Sequence, residues 1–369
     1  MLQEFYMSGF RNLETQMVSF DAPFNLVVGP NGSGKTSLLE SIYTLLNGKS
    51  FRTTKTSNIV CHSLEAQEFV LRAYLTFGDD NRRSVGLKKS VNERYLAKVD
   101  GEVANSIADL ASVWPTQIVE PRSFNLLEGG AGARRRLLDW IVFHVEPSFG
   151  DLWKRYSAVL KQRAALLKQR DPNIELIAVW DTQLASLGEA INNYREPIVG
   201  KVVEVFRCHA SELLGSGLLD RLKIGFYPGW SNNLSLGAAL SLSREKDVKR
   251  RTTHYGAHKS DLRFGYDGLP VHEGLSRGQQ KLLVLAWHLA QIEVLKSISG
   301  RSSLLLLDDL AAELDERNTS LFIESLNNLG VSVVATGLDI ALYQRVLSRL
   351  DLLHKARMFH VEHGKIERL

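Results

Sequence analysis

Gly29-Pro-Asn-Gly-Ser-Gly-Lys-Thr36 is the stretch on which the reading of this chain turns. It follows the apolar run Phe24-Asn-Leu-Val-Val28, which has the composition of a buried strand. It precedes a segment carrying Leu38, Leu39, Ile42, Leu45 and Leu46 at helical spacing. Strand, glycine-rich turn and helix in that order make a P-loop, G-x-x-x-x-G-K-T. Gly29, Gly32 and Gly34, with Pro30, Asn31 and Ser33 between them, let backbone N–H groups turn inward around phosphates at the positive end of the helix. Lys35 supplies a point charge for the β- and γ-phosphates, and the Thr36 hydroxyl is placed to ligate Mg2+. The pattern predicts ATP and Mg2+ as cofactors.

A P-loop needs an acidic partner from another strand. Ser303-Leu-Leu-Leu-Leu307 reads as a short buried parallel strand, and it ends in Asp308-Asp309. A carboxylate delivered this way reaches the metal, so Asp308 is the expected Mg2+-side ligand, directly or through water. Asp309 stands where a general base or water-positioning group is needed. Lys35, Asp308 and Asp309 are therefore the expected catalytic residues. Taken alone, two aspartates after a leucine run are often only a solvated strand end; the P-loop upstream gives them a role. Between the two lies Leu275-Ser-Arg-Gly-Gln-Gln-Lys281, just before a leucine-rich helical stretch. Ser276, Gly278 and Gln279 would open a helix whose N-terminus can face a γ-phosphate, although a serine there is also an ordinary N-cap.

The rest of the chain fits an α/β protein with a helical insert. Its 369 residues, 44% hydrophobic and 23% charged, leave room for two domains or one domain with a large insertion. From about 59 to 103 apolar and polar residues alternate, as in Phe69-Val-Leu-Arg-Ala-Tyr-Leu75, with a hairpin expected at Asp79-Asp80-Asn81. From 134 to 215 the texture is helical: Trp153, Tyr156, Leu160, Ala164 and Leu167 recur at intervals of three and four. Pro172 and Pro197 are expected to start or stop helices there. The expected division is an N-terminal part of an ATPase head over 1–133, a helical inserted subdomain over 134–215, and the C-terminal part of the head over 216–369. No run of about 18 apolar residues is present, and the N-terminus lacks the build of a signal peptide. Two cysteines, Cys61 and Cys208, are too few for a disulfide framework or a Cys-based zinc site. A cytoplasmic protein with no membrane partner is expected. Among ten histidines without metal-binding spacing, only His258 stands out, more readily as a structural residue than as a phosphate contact.

In its order, P-loop, then L-S-x-G-Q, then Asp-Asp, with Glu313-Leu-Asp315 where a D-loop would follow, the chain resembles the ABC-type ATPases. Further stretches resemble the RecF family in particular. Phe10-Arg-Asn12 precedes the P-loop strand and Ser50-Phe-Arg52 follows its helix. Phe124-Asn-Leu-Leu127 leads to Arg134-Arg-Arg136 and Leu138-Asp-Trp140, and Trp153-Lys-Arg-Tyr156 and Leu160-Lys-Gln-Arg163 come after. Gly256-Ala-His-Lys-Ser-Asp-Leu262 is similar to the family's G-P-H-R-x-D-L, with Ala257 and Lys259 in place of its proline and arginine.

The resemblance covers roughly residues 1–340. It implies an ABC-type ATPase head, with a P-loop and mixed sheet, carrying a mainly helical inserted subdomain. It also implies an ATP-dependent homodimer in which the signature of one head completes the nucleotide site of the other. The function it implies is ATP-switched DNA binding in recombinational repair, at gaps or duplex–single-strand junctions. RecR and RecO would be partners in loading RecA, with roles in replication restart and SOS induction. One departure stands out. After Val331-Ser-Val-Val-Ala335, transporter ATPases usually place a switch histidine; here Thr336-Gly337 follows, whose hydroxyl can still donate a hydrogen bond.

A net charge of +4 permits a nucleic-acid partner without demanding one. Between Trp153 and Arg170 there are six Lys or Arg residues and no Asp or Glu. Lys154, Lys161 and Lys168 recur every seven residues, nearly on one helical face. With Arg52 and Arg135 they are the candidate DNA contacts, though each such cluster also reads as a solvated face. Arg11 and Arg52 have a second reading, as nucleotide contacts or buttresses of the P-loop. No sequence-reading module is present, so recognition of backbone and junction shape is expected. The alternatives are a transport- or ribosome-associated ABC ATPase and a structural protein with a degenerate nucleotide site. The long interval between Lys35 and Ser276 argues against the first, and the complete set Lys35, Thr36, Asp308 and Asp309 against the second. Long heptad arms of the SMC kind are absent. The 60 residues after Asp309 are too few for the metal domain of the overcoming-lysogenisation nucleases.

Overall fold

The computed structural model describes all residues except 62–66, 79–80, 92–94 and 339, and the side chain of residue 311. The chain opens with β1 (Leu2–Ser8), β2 (Gln16–Ser19), β3 (Phe24–Val28) and α1 (Lys35–Asn47). There follow β4 (Glu68–Phe77), β5 (Asn81–Ser90), β6 (Leu96–Val99), β7 (Glu102–Val103), α2 (Ile107–Val113) and β8 (Thr116–Val119). The middle of the chain is α3 (Ala131–Val145), α4 (Phe149–Leu167), α5 (Ile174–Leu214), α6 (Ser216–Leu219), β9 (Leu222–Tyr227) and α7 (Leu236–Arg250), then β10 (Asp261–Tyr266), β11 (Leu269–Pro270), α8 (Val271–Gly274) and α9 (Arg277–Ser299). It closes with β12 (Leu304–Leu307), α10 (Glu316–Leu329), β13 (Ser332–Gly337), α11 (Ala341–Arg349), β14 (Ala356–Glu362) and β15 (Lys365–Arg368). Two compact units result: Met1–Phe124 with Gly300–Leu369, and Asn125–Ser299.

The first unit is built from both chain ends. Its central sheet runs β15-β14-β3-β13-β12-β8, parallel throughout except for β15 on β14. β3 and β12 are buried along their whole length, which is why they read as unbroken apolar runs. The second sheet, β2-β1-β4-β5-β6-β7, is antiparallel and alternates. Phe5, Met7, Leu71, Ala73, Leu75, Val85, Leu87 and Ala97 face inward, while Glu4, Arg72, Tyr74, Lys88 and Lys98 face solvent. The β4–β5 hairpin pairs Phe77 with Asn81; Asp79 and Asp80 lie outside the described residues. Leu38, Leu39, Ile42, Leu45 and Leu46 of α1 fill the core with the inward side of this sheet and with Leu304, Leu306 and Val334. The helix ends at Gly48, whose φ of 66° lets its N–H return to the Thr44 carbonyl.

The second unit is mainly helical, with the small sheet β11-β10-β9. It is wider than the expected 134–215 span, because it also takes in α7, the small sheet and α9 with the signature. Pro172 falls in the break before α5, where Asn173 caps the helix by accepting from Leu176 N–H. Pro197 corrects the expectation of a helix end: it sits inside the 41-residue α5. A proline there forfeits one backbone hydrogen bond. Ile191 and Arg195 before it and Ile198, Val199, Val202 and Phe206 after it are all buried, and that packing holds the helix through the defect. α4 also turns by a step from its expected stripe. Tyr156, Val159, Arg163 and Leu167 are the buried face, and Arg163 is fully enclosed between Asp181 and Asp247 at 2.6 and 2.9 Å. One of the six cations counted on that stretch is therefore core rather than surface. α9 is the one helix, among the described residues, long and apolar enough to cross a membrane. Its Leu282–Ile292 stretch is buried throughout, so its apolar character follows from burial inside the unit.

Candidate nucleotide site

β3 delivers the P-loop at its carboxyl end, and β14 beside it fixes the glycine requirement. A Cβ on Gly29 would lie 2.2 Å from the Val361 carbonyl oxygen. Gly34 has a φ of 121°, which a side chain would strain. Two stretches that match no chemical motif brace this loop. Asn12 donates from Nδ2 to the Gly32 carbonyl at 3.1 Å and accepts from Ser37 Oγ at 2.8 Å. Arg11 forks onto Glu40 of α1, with Nε–Oε2 3.0 Å and Nη2–Oε1 2.7 Å. Arg52 donates to the same carboxylate at 3.3 Å, and Ser50 Oγ donates to it at 2.5 Å. Glu40 is fully buried, and a buried carboxylate persists only when paired and hydrogen-bonded. Phe10-Arg-Asn12 and Ser50-Phe-Arg52 thus hold the P-loop and its helix.

Lys35 is buried, and its Nζ donates to the carbonyls of Gly29 at 2.7 Å and Pro30 at 3.0 Å. Burial lowers its pKa, against the opposing pull of Asp309 and Asp308. Thr36 Oγ1 lies 3.0 Å from both carboxylate oxygens of Asp308, to which it donates. β13 contributes Thr336, fully buried. Its hydroxyl donates to Asp308 Oδ1 at 2.8 Å and accepts from Asp309 N–H at 3.0 Å. A single hydroxyl therefore fixes one aspartate's side chain and the other's backbone. Asp309 has a left-handed φ of 54°, a conformation aspartate tolerates better than most residues. Burial raises its carboxyl pKa first; Lys35 opposes, while Asp308 and Glu313 add to the rise.

Glu120 is a residue that no motif marks. β8 lies beside β12 with Val119 opposite Leu307, and Asp308 N–H donates to the Val119 carbonyl at 2.8 Å. Strand alternation puts Glu120 on the same side of the sheet as Asp308. Burial raises its pKa, opposed by Arg122 and Arg52 and reinforced by Asp308 and Glu40. The signal that could have found it is a strand of the right length ending in a carboxylate, but which strand neighbours β12 is a tertiary fact.

Among the described residues no group of three or more His, Cys, Asp or Glu forms a ready metal cage. One hydroxyl and one carboxylate nevertheless suit Mg2+, a hard ion that takes few protein ligands and keeps its waters. Ser33 Oγ, buried in the P-loop, has no hydrogen-bond partner, as expected of a cradle built for an additional group.

In the second unit, Ser276 and Gln279 form a reciprocal cap. Ser276 N–H donates to Gln279 Oε1 at 2.9 Å, and Gln279 N–H donates to Ser276 Oγ at 3.3 Å. Gly278 is exposed, and a Cβ there would meet nothing within 4 Å. His258 is structural: its Nδ1 bonds Tyr156 Oη at 2.7 Å, and burial lowers its pKa to about 4. Around it, Arg195 bonds the Ala257 carbonyl and Ser260 Oγ, Arg134 pairs with Asp261, and Arg135 donates to the Ser260 carbonyl at 2.6 Å. Of the candidate DNA contacts, Arg52 and Arg135 are thus already engaged within the fold, while Lys154, Lys161 and Lys168 stand in solvent along α4.

Comparison with known proteins agrees with this geometry. The family model described as RecF/RecN/SMC N terminal domain matches residues 1–363. The DNA replication and repair proteins RecF of Proteus mirabilis and Yersinia pestis are 38% and 37% identical, over 97% and 99% of this chain and 96% and 98% of their own. The solved structure of the recombination mediator protein RecF-ATPrS in the RecFOR pathway aligns over 100% of this chain and 98% of its own, with a TM-score of 0.84 and 25% identity. An Smc head bound to the C-winged helix domain of ScpA shares the fold at a TM-score of 0.57 and 14% identity. With the ABC-type ATPase fold, a P-loop joined through Thr36 to the acidic strand, and relatives matched over nearly their whole length, the chain belongs to the RecF family.

Proposed function

We propose that the protein is an ATP-switched DNA clamp of recombinational repair. Lys35 would leave the Gly29 and Pro30 carbonyls for the β- and γ-phosphates, and Thr36 and Asp308 would hold Mg2+ between them. The metal's contribution would be to neutralise charge on the phosphate oxygens. Asp309, oriented through its backbone by Thr336, would position the attacking water. The observation that carries this reading is the Thr36–Asp308 contact, which joins the P-loop to the acidic strand across most of the sequence.

The signature would act in trans, as the fold family implies. Gly278 lies exposed in the first turn of α9, and nothing around it in this chain excludes a side chain. A docking nucleotide on a second copy supplies the missing reason. DNA would bind through Lys154, Lys161 and Lys168 by backbone contacts, at gaps or duplex–single-strand junctions. RecR and RecO would be the partners in loading RecA, consistent with the RecFOR pathway of the solved relative, in replication restart and SOS induction. The long separation of P-loop and signature favours this over a transport- or ribosome-associated role. The test is sedimentation with ATP, with and without gapped DNA. Wild type is expected to dimerise with ATP and more so with DNA, and Lys35→Met to remain monomeric. ATP-driven pairing of Lys35→Met at the wild-type level would remove the P-loop as the switch.

A further inference from the structure

The outward side of the antiparallel sheet in the first unit carries a row of residues that the fold does not use. Cross-strand register places Met17, Tyr6, Arg72, Gly86, Lys98 and Val103 in line across β2, β1, β4, β5, β6 and β7. In the next row Tyr74 lies opposite Glu4 and Ser84. Met17, Tyr74, Leu96 and Val103 are 55%, 54%, 46% and 61% exposed on this side, a concentration of apolar surface in the open. The Arg72 guanidinium lies 5.9 Å from the Tyr6 ring centroid, and Arg72 and Lys98 flank Gly86. A glycine in the interior of a strand weakens the sheet and often marks close approach by another chain or ligand. Here a Cβ would meet only ordinary contacts at 3.9 Å, so nothing in the protein itself demands the glycine.

We propose that this sheet face is a binding platform for single-stranded nucleic acid, with Tyr6 and Tyr74 as stacking surfaces and Arg72 and Lys98 as phosphate contacts across the dip at Gly86. Tyr6 and Tyr74 sit diagonally on adjacent strands, about 7 Å apart by sheet geometry, a span suited to successive unstacked bases. Tyr74 is exposed and Tyr6 half-buried beside Arg72, and aromatic rings on neighbouring strands set between cations are how sheets bind single strands without reading sequence. An apolar protein partner would also cover Met17 and Val103. Among the described residues the acids on this side stand at its margins, Glu4, Asp100 paired with Arg83, and Glu68 paired with Lys88, and the cations Arg72 and Lys98 in the central row favour a polyanion.

The proposal deepens the DNA-binding reading above and rests on it for the kind of ligand. The experiment is anisotropy titration of fluorescein-labelled oligothymidylate in the Lys35→Met background, where ATP-driven pairing plays no part, so failure of the clamp mechanism leaves this measurement intact. Tyr74→Ser is expected to weaken binding by about 5- to 100-fold, the range for losing one stacked base. Lys98→Glu is expected to weaken it and to flatten the salt dependence by roughly 0.7 in log–log slope for the lost contact. Gly86→Glu separates binding from folding. Its side chain has open space and two cations beside it, so unfolding temperature should hold or rise while affinity falls at least tenfold. Oligothymidylate affinities of all three variants within twofold of their parent would overturn the proposal, as would a parent that binds duplex but not oligothymidylate.

Discussion

Replacing Thr336 by valine removes one hydroxyl and almost no volume, and the structure states what that hydroxyl does. It donates to the Asp308 carboxylate at 2.8 Å and accepts from Asp309 N–H at 3.0 Å, fully enclosed. Losing a hydrogen bond to a charged group costs about 1.5–3 kcal/mol, and leaving a buried N–H unpaired costs about 1–3 kcal/mol. Because Asp308 keeps Thr36 as a donor and the Asp309 backbone is only partly enclosed, the low ends apply, and a net loss of about 2–4 kcal/mol is expected. Activity should suffer as well, since Asp308 would turn toward Thr36 and Asp309 would lose its anchor. Removing an outer-shell partner of a metal ligand typically costs about 10- to 100-fold. Thr336→Ser, which restores the hydroxyl, should recover most of both. Denaturant midpoints and steady-state ATPase measure the two effects. If Thr336→Val turns over ATP at the wild-type rate, Thr336 does not position the acidic pair and the reading of this strand end is wrong.

Two further outcomes follow from the same geometry. Asp309→Asn keeps a side chain tolerant of the left-handed backbone and leaves Asp308 on the metal, so nucleotide binding should persist while hydrolysis slows at least tenfold and the ATP dimer lives longer. Unchanged turnover would move the water-positioning role, and Glu120 is the carboxylate placed to take it. His258 makes stability depend on pH. Its folded pKa of about 4 lies below the ordinary 6.5, so its contribution is fully present above pH 6.5 and is lost as pH falls from there towards 4. The loss amounts to about 3 kcal/mol if no other group compensates. Thermal unfolding between pH 7.5 and 4.5 should show this for wild type and much less of it for His258→Gln; identical pH profiles would count against the buried neutral imidazole.

The sequence was most legible where function is written in contiguous residues. The P-loop, the apolar strand ending in Asp308-Asp309 and the helix start at Ser276 could each be read locally, because each is a short piece of secondary structure with a fixed chemical demand. What stayed hidden depends on who neighbours whom. Glu120 becomes part of the site only because β8 pairs with β12. Arg52, open to reading as a DNA contact, a nucleotide contact or a buttress of the P-loop, is turned onto Glu40 as a buttress; the choice rests on a buried acid whose need for partners cannot be seen from helix periodicity. Arg163 looked like surface charge until the helix phase set it in line with Tyr156, Val159 and Leu167. Pro197 was misread because a local rule met a packing energy spread over both sides of it.

The central claim is that two copies share composite ATP sites, and mixing two variants tests it most directly. Ser276→Arg blocks the signature and leaves Lys35 intact; Lys35→Met abolishes nucleotide binding and leaves Ser276 intact. In a mixed dimer one site combines both intact halves and the other carries both lesions. Each variant alone should be nearly inactive and monomeric, and an equimolar mixture should recover up to roughly half of wild-type ATPase, because only mixed dimers form and each holds one working site of two. A mixture no more active than its components, with Ser276→Arg alone still dimerising and hydrolysing ATP normally, would contradict shared sites and with them the clamp.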